Sequence, residues 1–215
     1  MISVLLPTYN GEKYLGLAIE SVLNQSFKDF ELLVAFNGTT DNSKDIPLKY
    51  NDPRIRIFDY DDAGKSKTLN KLLLEAKYDW IALQDDDDHW IFDKLEKQLP
   101  YTNNFDVIGT FISYIDEGGH ITGDLKLSSG HTGIVNFSMR GNNQIANTSA
   151  IFKKEDALEI GGWKDGLDGI EDFDFWLRLM RQGKKFINIS ESLVQHRIHK
   201  DSKFNTKIFD ISKIL

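Results

Sequence analysis

The sequence contains no cysteine, only four prolines and no excess of basic residues. Without cysteine there can be neither a disulfide framework nor a thiolate metal site, and a reducing compartment is permitted. The formal net charge of −7, from 26 Lys+Arg against 33 Asp+Glu, argues against a protein whose main partner is nucleic acid, since that footprint is basic. No stretch approaches the roughly 18 to 20 apolar residues that span a bilayer, and the opening Met1-Ile-Ser-Val-Leu-Leu-Pro7 carries no basic leader before a long apolar run. These features predict a cytoplasmic protein without a transmembrane segment, compatible with peripheral association at the inner face of a membrane. The final Ile208-Phe-Asp-Ile-Ser-Lys-Ile-Leu215 lacks helix-stop chemistry, which predicts a natural chain continuing past Leu215.

What is present is enough apolar material for one core: 40% hydrophobic and 12% aromatic in 215 residues. The expectation is one domain over 1–215. Strand and helix signals alternate through the first half, the pattern of a mostly parallel sheet covered by helices. Ile2–Leu6 reads as a buried strand ended by Pro7, and Leu15, Ala18, Ile19 and Val22 fall at the spacing of one helix face. Phe30–Ala35 is a second strand, ended at Asn37-Gly38. Arg54–Phe58 alternates as a strand, Leu69, Leu72, Leu73 and Ala76 mark a helix from near Ser66, and Trp80–Gln84 runs as a strand into four aspartates. The second half is less regular. It carries a strand over Val107–Ile115, a hairpin around Glu117-Gly118-Gly119, a strand near Thr148–Phe152, and a helix over Asp172–Gln182 capped by Gly183.

Three polar clusters carry candidate chemistry. Gln84-Asp-Asp-Asp-Asp-His-Trp90 places four carboxylates at a strand's C-terminal end, where open α/β sheets bind ligands. Crowded carboxylates raise one another's pKa values unless a cation neutralises them, and hard divalent ions use such oxygens together with substrate phosphates. A solvated acidic loop is the simpler alternative. Glu171, Asp172 and Asp174 gather at the start of an apolar-faced helix, where acids can equally serve as caps. His196-Arg-Ile-His-Lys-Asp-Ser202 supplies two imidazoles, and lone histidines are more often packed or exposed than ligating.

Taken in order, these motifs resemble glycosyltransferase family 2. Pro7-Thr-Tyr-Asn10 resembles its opening signature, Asn37-Gly-Thr-Thr-Asp-Asn-Ser43 its Asp-Gly-Ser-Thr-Asp segment, and Asp85-x-Asp87 its DxD motif. Glu171-Asp172 before Trp176-Leu-Arg178 is similar to the segment carrying the catalytic base, and Arg197-x-His199 with Ser202 to the late histidine segment. The resemblance spans about residues 2 to 202 and implies a GT-A α/β fold and an inverting transferase using a nucleotide sugar, most simply a UDP-sugar. It implies a donor site of Pro7, Thr8, Tyr9, Asn37, Asp85 and Asp86, with Tyr9 stacking on the base and Asn37 reading its edge. Asp87 and His199 would hold Mn²⁺ or Mg²⁺, and Asp172, beside Glu171, would be the base. Lys65 and Lys67 are candidates for the donor phosphates. Asn37 stands where the family usually has aspartate, but its amide still offers uracil an acceptor and a donor. The resemblance also implies a nucleotide-binding half to about residue 90 and an acceptor-binding half from about 91, with a glycan or lipid-linked glycan as the acceptor. A nucleotidyltransferase would show a Gly-rich basic loop near the first strand, which Pro7-Thr-Tyr-Asn-Gly11 is not; a non-catalytic carbohydrate- or Ca²⁺-binding module remains the alternative from another class.

Overall fold

The computed structural model describes residues 1–61, 64–167, 169–200 and 210–215. Strand β1 (Ile2–Thr8) lies parallel to β2 (Phe30–Asn37), and β2 to β3 (Ile55–Tyr60), with helix α1 (Leu15–Leu23) as the first crossover. Helix α2 (Lys65–Glu75) leads to β4 (Trp80–Leu83), which pairs parallel to the other side of β1. β1 is therefore central, and its carboxyl end lies beside those of β2 and β4. Residues alternate across it as a pleat requires: Ile2, Val4 and Leu6 join the cluster around Leu15, Ile19 and Val22 of α1, while Leu5 joins the cluster around Leu69, Leu72 and Leu73 of α2.

The short β5 (His89–Trp90) and helix α3 (Lys94–Gln98) precede β6 (Val107–Ile115) and its hairpin partner β7 (Ile121–Leu125). The turn at the expected place is held by the Asp116 carboxylate, which accepts from Gly118 N and His120 N. Helix α4 (His131–Ser138), strand β8 (Ile151–Lys153), helices α5 (Lys154–Glu159) and α6 (Glu171–Arg181), and β9 (Phe186–Arg197) follow. The sheet order is β3-β2-β1-β4-β8-β6-β9-β5 with β7 on β6, so one sheet runs through both halves. It is parallel from β3 to β4, and antiparallel partners enter beyond β4.

Two expected boundaries shift. β1 continues through Pro7 to Thr8, with Pro7 registered against Ala35. The strand expected from Thr148 begins only at Ile151, because Asn147–Ser149 form a 3₁₀ turn. There the Thr148 carbonyl accepts from Trp90 Nε1 at 2.9 Å and its hydroxyl donates to Gln84 Oε1 at 3.2 Å, so these groups serve the neighbouring acidic loop instead of a ladder.

Helix α6 is seated by aromatics. Phe152 meets Phe175 and Trp176 edge-on at 5.3 and 5.7 Å, and Trp163 stacks on Phe175 at 4.4 Å. Such contacts add about 0.5–1.5 kcal/mol each beyond area burial, and they fix where the helix's first turn meets the sheet. The left-handed Gly183 (φ 75°) ends it as expected. Among the described residues no helix is long and apolar enough to cross a membrane.

Candidate active site

The four aspartates after β4 do not act as one cluster. Asp85 Oδ1 accepts from Lys65 Nζ at 2.5 Å and from Asn147 Nδ2 at 3.3 Å. Asp86 accepts from the Thr8 hydroxyl, which ties the acidic loop to the end of β1. Gly11 permits this contact, since a Cβ there would lie 2.6 Å from both Asp86 Oδ2 and Thr8 Oγ1. Asp87 Oδ2 lies 3.0 Å from His199 Nε2. Asp88, fully enclosed, accepts from the Arg197 amide at 2.9 Å and faces His196 Nδ1 at 3.0 Å.

The electrostatics follow this division. Burial alone would raise Asp85, but the Lys65 ammonium beside it holds its carboxyl below the usual range. Burial and then the Asp87 charge push Asp86 up to about 7; burial and the charges of Asp88 and Asp85 do the same to Asp87. Burial would lower His196, yet the charge and hydrogen bond of Asp88 outweigh it and raise the imidazole to about 9. Asp88 and His196 thus form an enclosed ion pair that pins the acidic loop to β9, and Asp88 is a structural acid.

That pair has a pH signature. A histidine whose folded pKa lies above its unfolded value of about 6.5 contributes its full stabilisation below pH 6.5 and loses it as pH rises through about 9. Urea unfolding in chelator should therefore show wild type losing, relative to His196→Gln, on the order of 3 kcal/mol at most between pH 6.5 and 9.5. Parallel stability curves for the two proteins would remove the charge from His196.

Asp87 and His199 are the pair expected to meet a metal, and the structure brings them together across β4 and β9. The His199 ring leans on Tyr14 at 5.3 Å, and Tyr14 lies under the Arg197 guanidinium at 4.5 Å. Arg197 also donates to the Asp87 carbonyl at 3.0 Å, so loop and strand end are joined at both side chain and backbone. Among the described residues no three His, Asp or Glu side chains converge as a closed cage. One carboxylate and one imidazole, beside acids that burial and mutual repulsion push up at Asp86 and Asp87, fit an ion whose remaining ligands are substrate phosphates and water. Ser202 lies outside the described residues.

The residues expected on the base side of a donor sit at neighbouring strand ends. Tyr9 presents its ring to solvent at 57% exposure just beyond β1, while Pro7 and Thr8 are buried within the strand. Asn37 ends β2, is 5% exposed, and its Oδ1 has no hydrogen-bond partner among the described residues. An enclosed acceptor without a donor is costly unless a ligand supplies one. Of the two lysines considered for phosphates, Lys67 pairs with exposed Asp165 at 3.4 Å, whereas Lys65 reaches the acidic loop.

The acids of α6 separate in the same way. Glu171 Oε2 accepts from Gly169 N at 2.5 Å, bracing its own loop. Asp174 pairs with Arg178 at 2.7 Å and Lys164 at 3.1 Å. Asp172 remains, accepting from Asn143 Nδ2 at 3.2 Å, and burial followed by the Glu171 charge pushes it up to about 7. The capping position is Ile170, and no side-chain cap bond is made there. Lys65 feels the fields of Asp85, Glu171 and Asp172 together, so it lies near acids of both sets.

The Asp85–Asp88 loop at the end of the parallel strands is thus met by His199 and, around Lys65, by a separate half-buried acid, Asp172. The sequence profile of Glycosyl transferase family 2 matches residues 3–160. The chain belongs to this family. It is 33% identical over 209 residues to the O-antigen biosynthesis glycosyltransferase WbnJ of Escherichia coli, covering 94% of this chain and 81% of that one. It is 26% identical to the putative teichuronic acid biosynthesis glycosyltransferase TuaG of Bacillus subtilis, covering 96% and 82%. Among solved structures, S. aureus TarS 1–349 in complex with UDP-GlcNAc superposes with a TM-score of 0.82 at 17% identity, covering 99% of this chain and 63% of that one. The mannosyltransferase PcManGT from Pyrobaculum calidifontis, in complex with GDP-Man and Mn²⁺, gives 0.72 at 16%, covering 94% and 58%. The family 2 chain thus has the GT-A fold and spans less than two thirds of either solved chain. It is a glycosyltransferase.

Asn143, Asn147 and His196 are the site residues that the motifs left unassigned, and Lys65, a candidate for the donor phosphates, is also the partner of Asp85. Lys65 falls one residue after Gly64, at the start of a readable helix, and that is its only signal. The two asparagines come from an irregular loop and carry none.

Proposed function

We propose that this family 2 enzyme transfers a sugar from a UDP-sugar to a hydroxyl of a glycan or lipid-linked glycan, with inversion, using Mn²⁺ or Mg²⁺ and Asp172 as general base. The observation that carries the reading is the division of the acids into two sets around Lys65, one on β4 and one on α6. Asp87 and His199 would hold the ion, which when bound supplies Lewis-acid neutralisation of the diphosphate leaving group. Asp85 and Lys65 orient the ribose and phosphate side, and the exposed Tyr9 ring stacks on the base. Asn37 Oδ1 accepts from the base's ring N–H. Asp172, with a pKa of about 7, takes the acceptor's proton as its oxygen attacks the anomeric carbon. TarS with UDP-GlcNAc supports the uridine donor, and PcManGT with GDP-Man and Mn²⁺ supports the metal. Action at the inner face of a membrane would suit a lipid-linked acceptor.

A thermal-shift panel tests this: UDP-GlcNAc, UDP-glucose, UDP-galactose and GDP-mannose, each with and without Mn²⁺. A ligand selective for the native state at about 100 times its Kd adds about 2.7 kcal/mol of stability. The expected result is a metal-dependent shift with a UDP-sugar, followed by release of UDP and not pyrophosphate. A shift confined to GDP-mannose would overturn the choice of base. Within the same assay Tyr9→Ala should weaken donor binding by roughly 1–3 kcal/mol, the range for stacking on a base, and an unchanged affinity would return Tyr9 to the surface.

A further inference from the structure

The loop between α4 and β8 belongs to none of the family-like motifs, yet it reaches both sets of acids. Asn147 donates to Asp85 from one end of it and Asn143 donates to Asp172 from the other. The loop is held from below. The Asn188 amide of β9 donates to the Gln144 carbonyl at 2.8 Å, Gln144 Oε1 accepts from Ser128 N at 2.9 Å, and Ile145 is buried in the core. Asn143 is fixed in turn, because its Oδ1 accepts from the Ile145 amide at 3.1 Å. That bond settles the orientation of the carboxamide: the oxygen is occupied by a donor, so the NH₂ end faces Asp172.

We propose that Asn143 is the positioning residue of the general base, holding Asp172 by its Oδ2 so that the other oxygen is presented to the acceptor hydroxyl. The proposal rests on the reading of Asp172 as base. An aspartate on the first turn of a helix can rotate about its side-chain torsions, and proton abstraction needs one oxygen within hydrogen-bond reach of the hydroxyl. A carboxamide anchored to backbone removes that freedom without adding charge beside Glu171, Lys65 and Asp85, the charged groups that act on Asp172. Asn143 touches neither donor nor acceptor in this scheme; it acts through Asp172.

Two variants test it. Asn143→Ala deletes the donor, and Asn143→Asp keeps the size and the bond from the Ile145 amide while replacing the NH₂ with an oxygen. The first readout needs no acceptor: the Asp172 ¹³Cγ titration by NMR in chelator, assigned by its absence in Asp172→Asn. A donor to the charged form favours that form, so the titration midpoint should move upward in both variants, by roughly half a pH unit or more, and further in Asn143→Asp. The second readout is UDP release from UDP-GlcNAc with water as acceptor, where kcat should fall roughly 10-fold while donor KM stays within about twofold. A purely structural role would lower Tm and leave the midpoint in place. If Asn143→Ala does not fold, the isosteric variant decides alone. An unmoved midpoint in a folded variant overturns the proposal. The base reading is judged separately: if Asp172→Asn still turns over donor at the wild-type rate, that reading falls and takes the proposal with it. If Asp172→Asn is inactive while the Asn143 variants match wild type, only the proposal fails.

Discussion

Asp172→Asn is expected to lower sugar transfer by at least roughly 10²-fold, the lower end of a general base's usual contribution, with the loss in kcat and not in donor KM. The substitution keeps size and most hydrogen bonding, so the contact to Asn143 and the packing of α6 through Phe175 and Trp176 should survive. What it removes is the atom that accepts a proton. Because burial and then Glu171 raise Asp172 to about 7, the wild-type rate should fall as pH drops below 7, where the base becomes protonated. A merely structural role makes the opposite forecast, since the amide keeps the size and the packing of the carboxylate and transfer would be untouched. Transfer and metal-dependent donor binding measured on one preparation decide between them: a variant that binds donor and transfers near the wild-type rate would sink the catalytic assignment.

Asp87→Ala is expected to abolish metal-dependent donor binding altogether while leaving the metal-free fold as stable as wild type, or more so. Asp87 sits between Asp86 and Asp88 in a half-buried loop, where burial and then the Asp88 and Asp85 charges raise its pKa to about 7. Removing it relieves that repulsion and deletes the carboxylate beside His199. The loop should hold its shape, because Thr8 keeps Asp86 and the His196–Asp88 pair keeps the other end. Thermal shift with Mn²⁺ and UDP-sugar reads the first effect, and unfolding in chelator reads the second. In wild type the apparent metal affinity should rise with pH through about 7, since the ion competes with the proton on Asp87. Retained metal-dependent binding in the variant would remove Asp87 from the site.

Much of the frame was legible from periodicity. The buried stripe of α1 and the alternation of β1 are local consequences of side-chain spacing, and each residue of the stripe lies in the core. The acidic run was legible as a site because a strand ends in it. Its division was not. Four consecutive aspartates look equivalent along the chain, and nothing in their order assigns His196 to Asp88 and His199 to Asp87; those partners come from 108 and 112 residues away. The same holds for α6, where Glu171, Asp172 and Asp174 were one acidic group until Gly169, Asn143 and Arg178 took one each.

By itself, then, the sequence determined the elements, the order of the motifs and the family, because hydrophobic period, turn chemistry and motif spacing are properties of neighbours along a chain. Only the tertiary structure decided which partner each carboxylate takes. A carboxylate's pKa and reach depend on burial and on charges a few ångströms away, and those are supplied by β9, by α2 through Lys65 and by the loop that carries Asn143 and Asn147. Each lies far from the acids in sequence and is brought to them by the closing of one sheet.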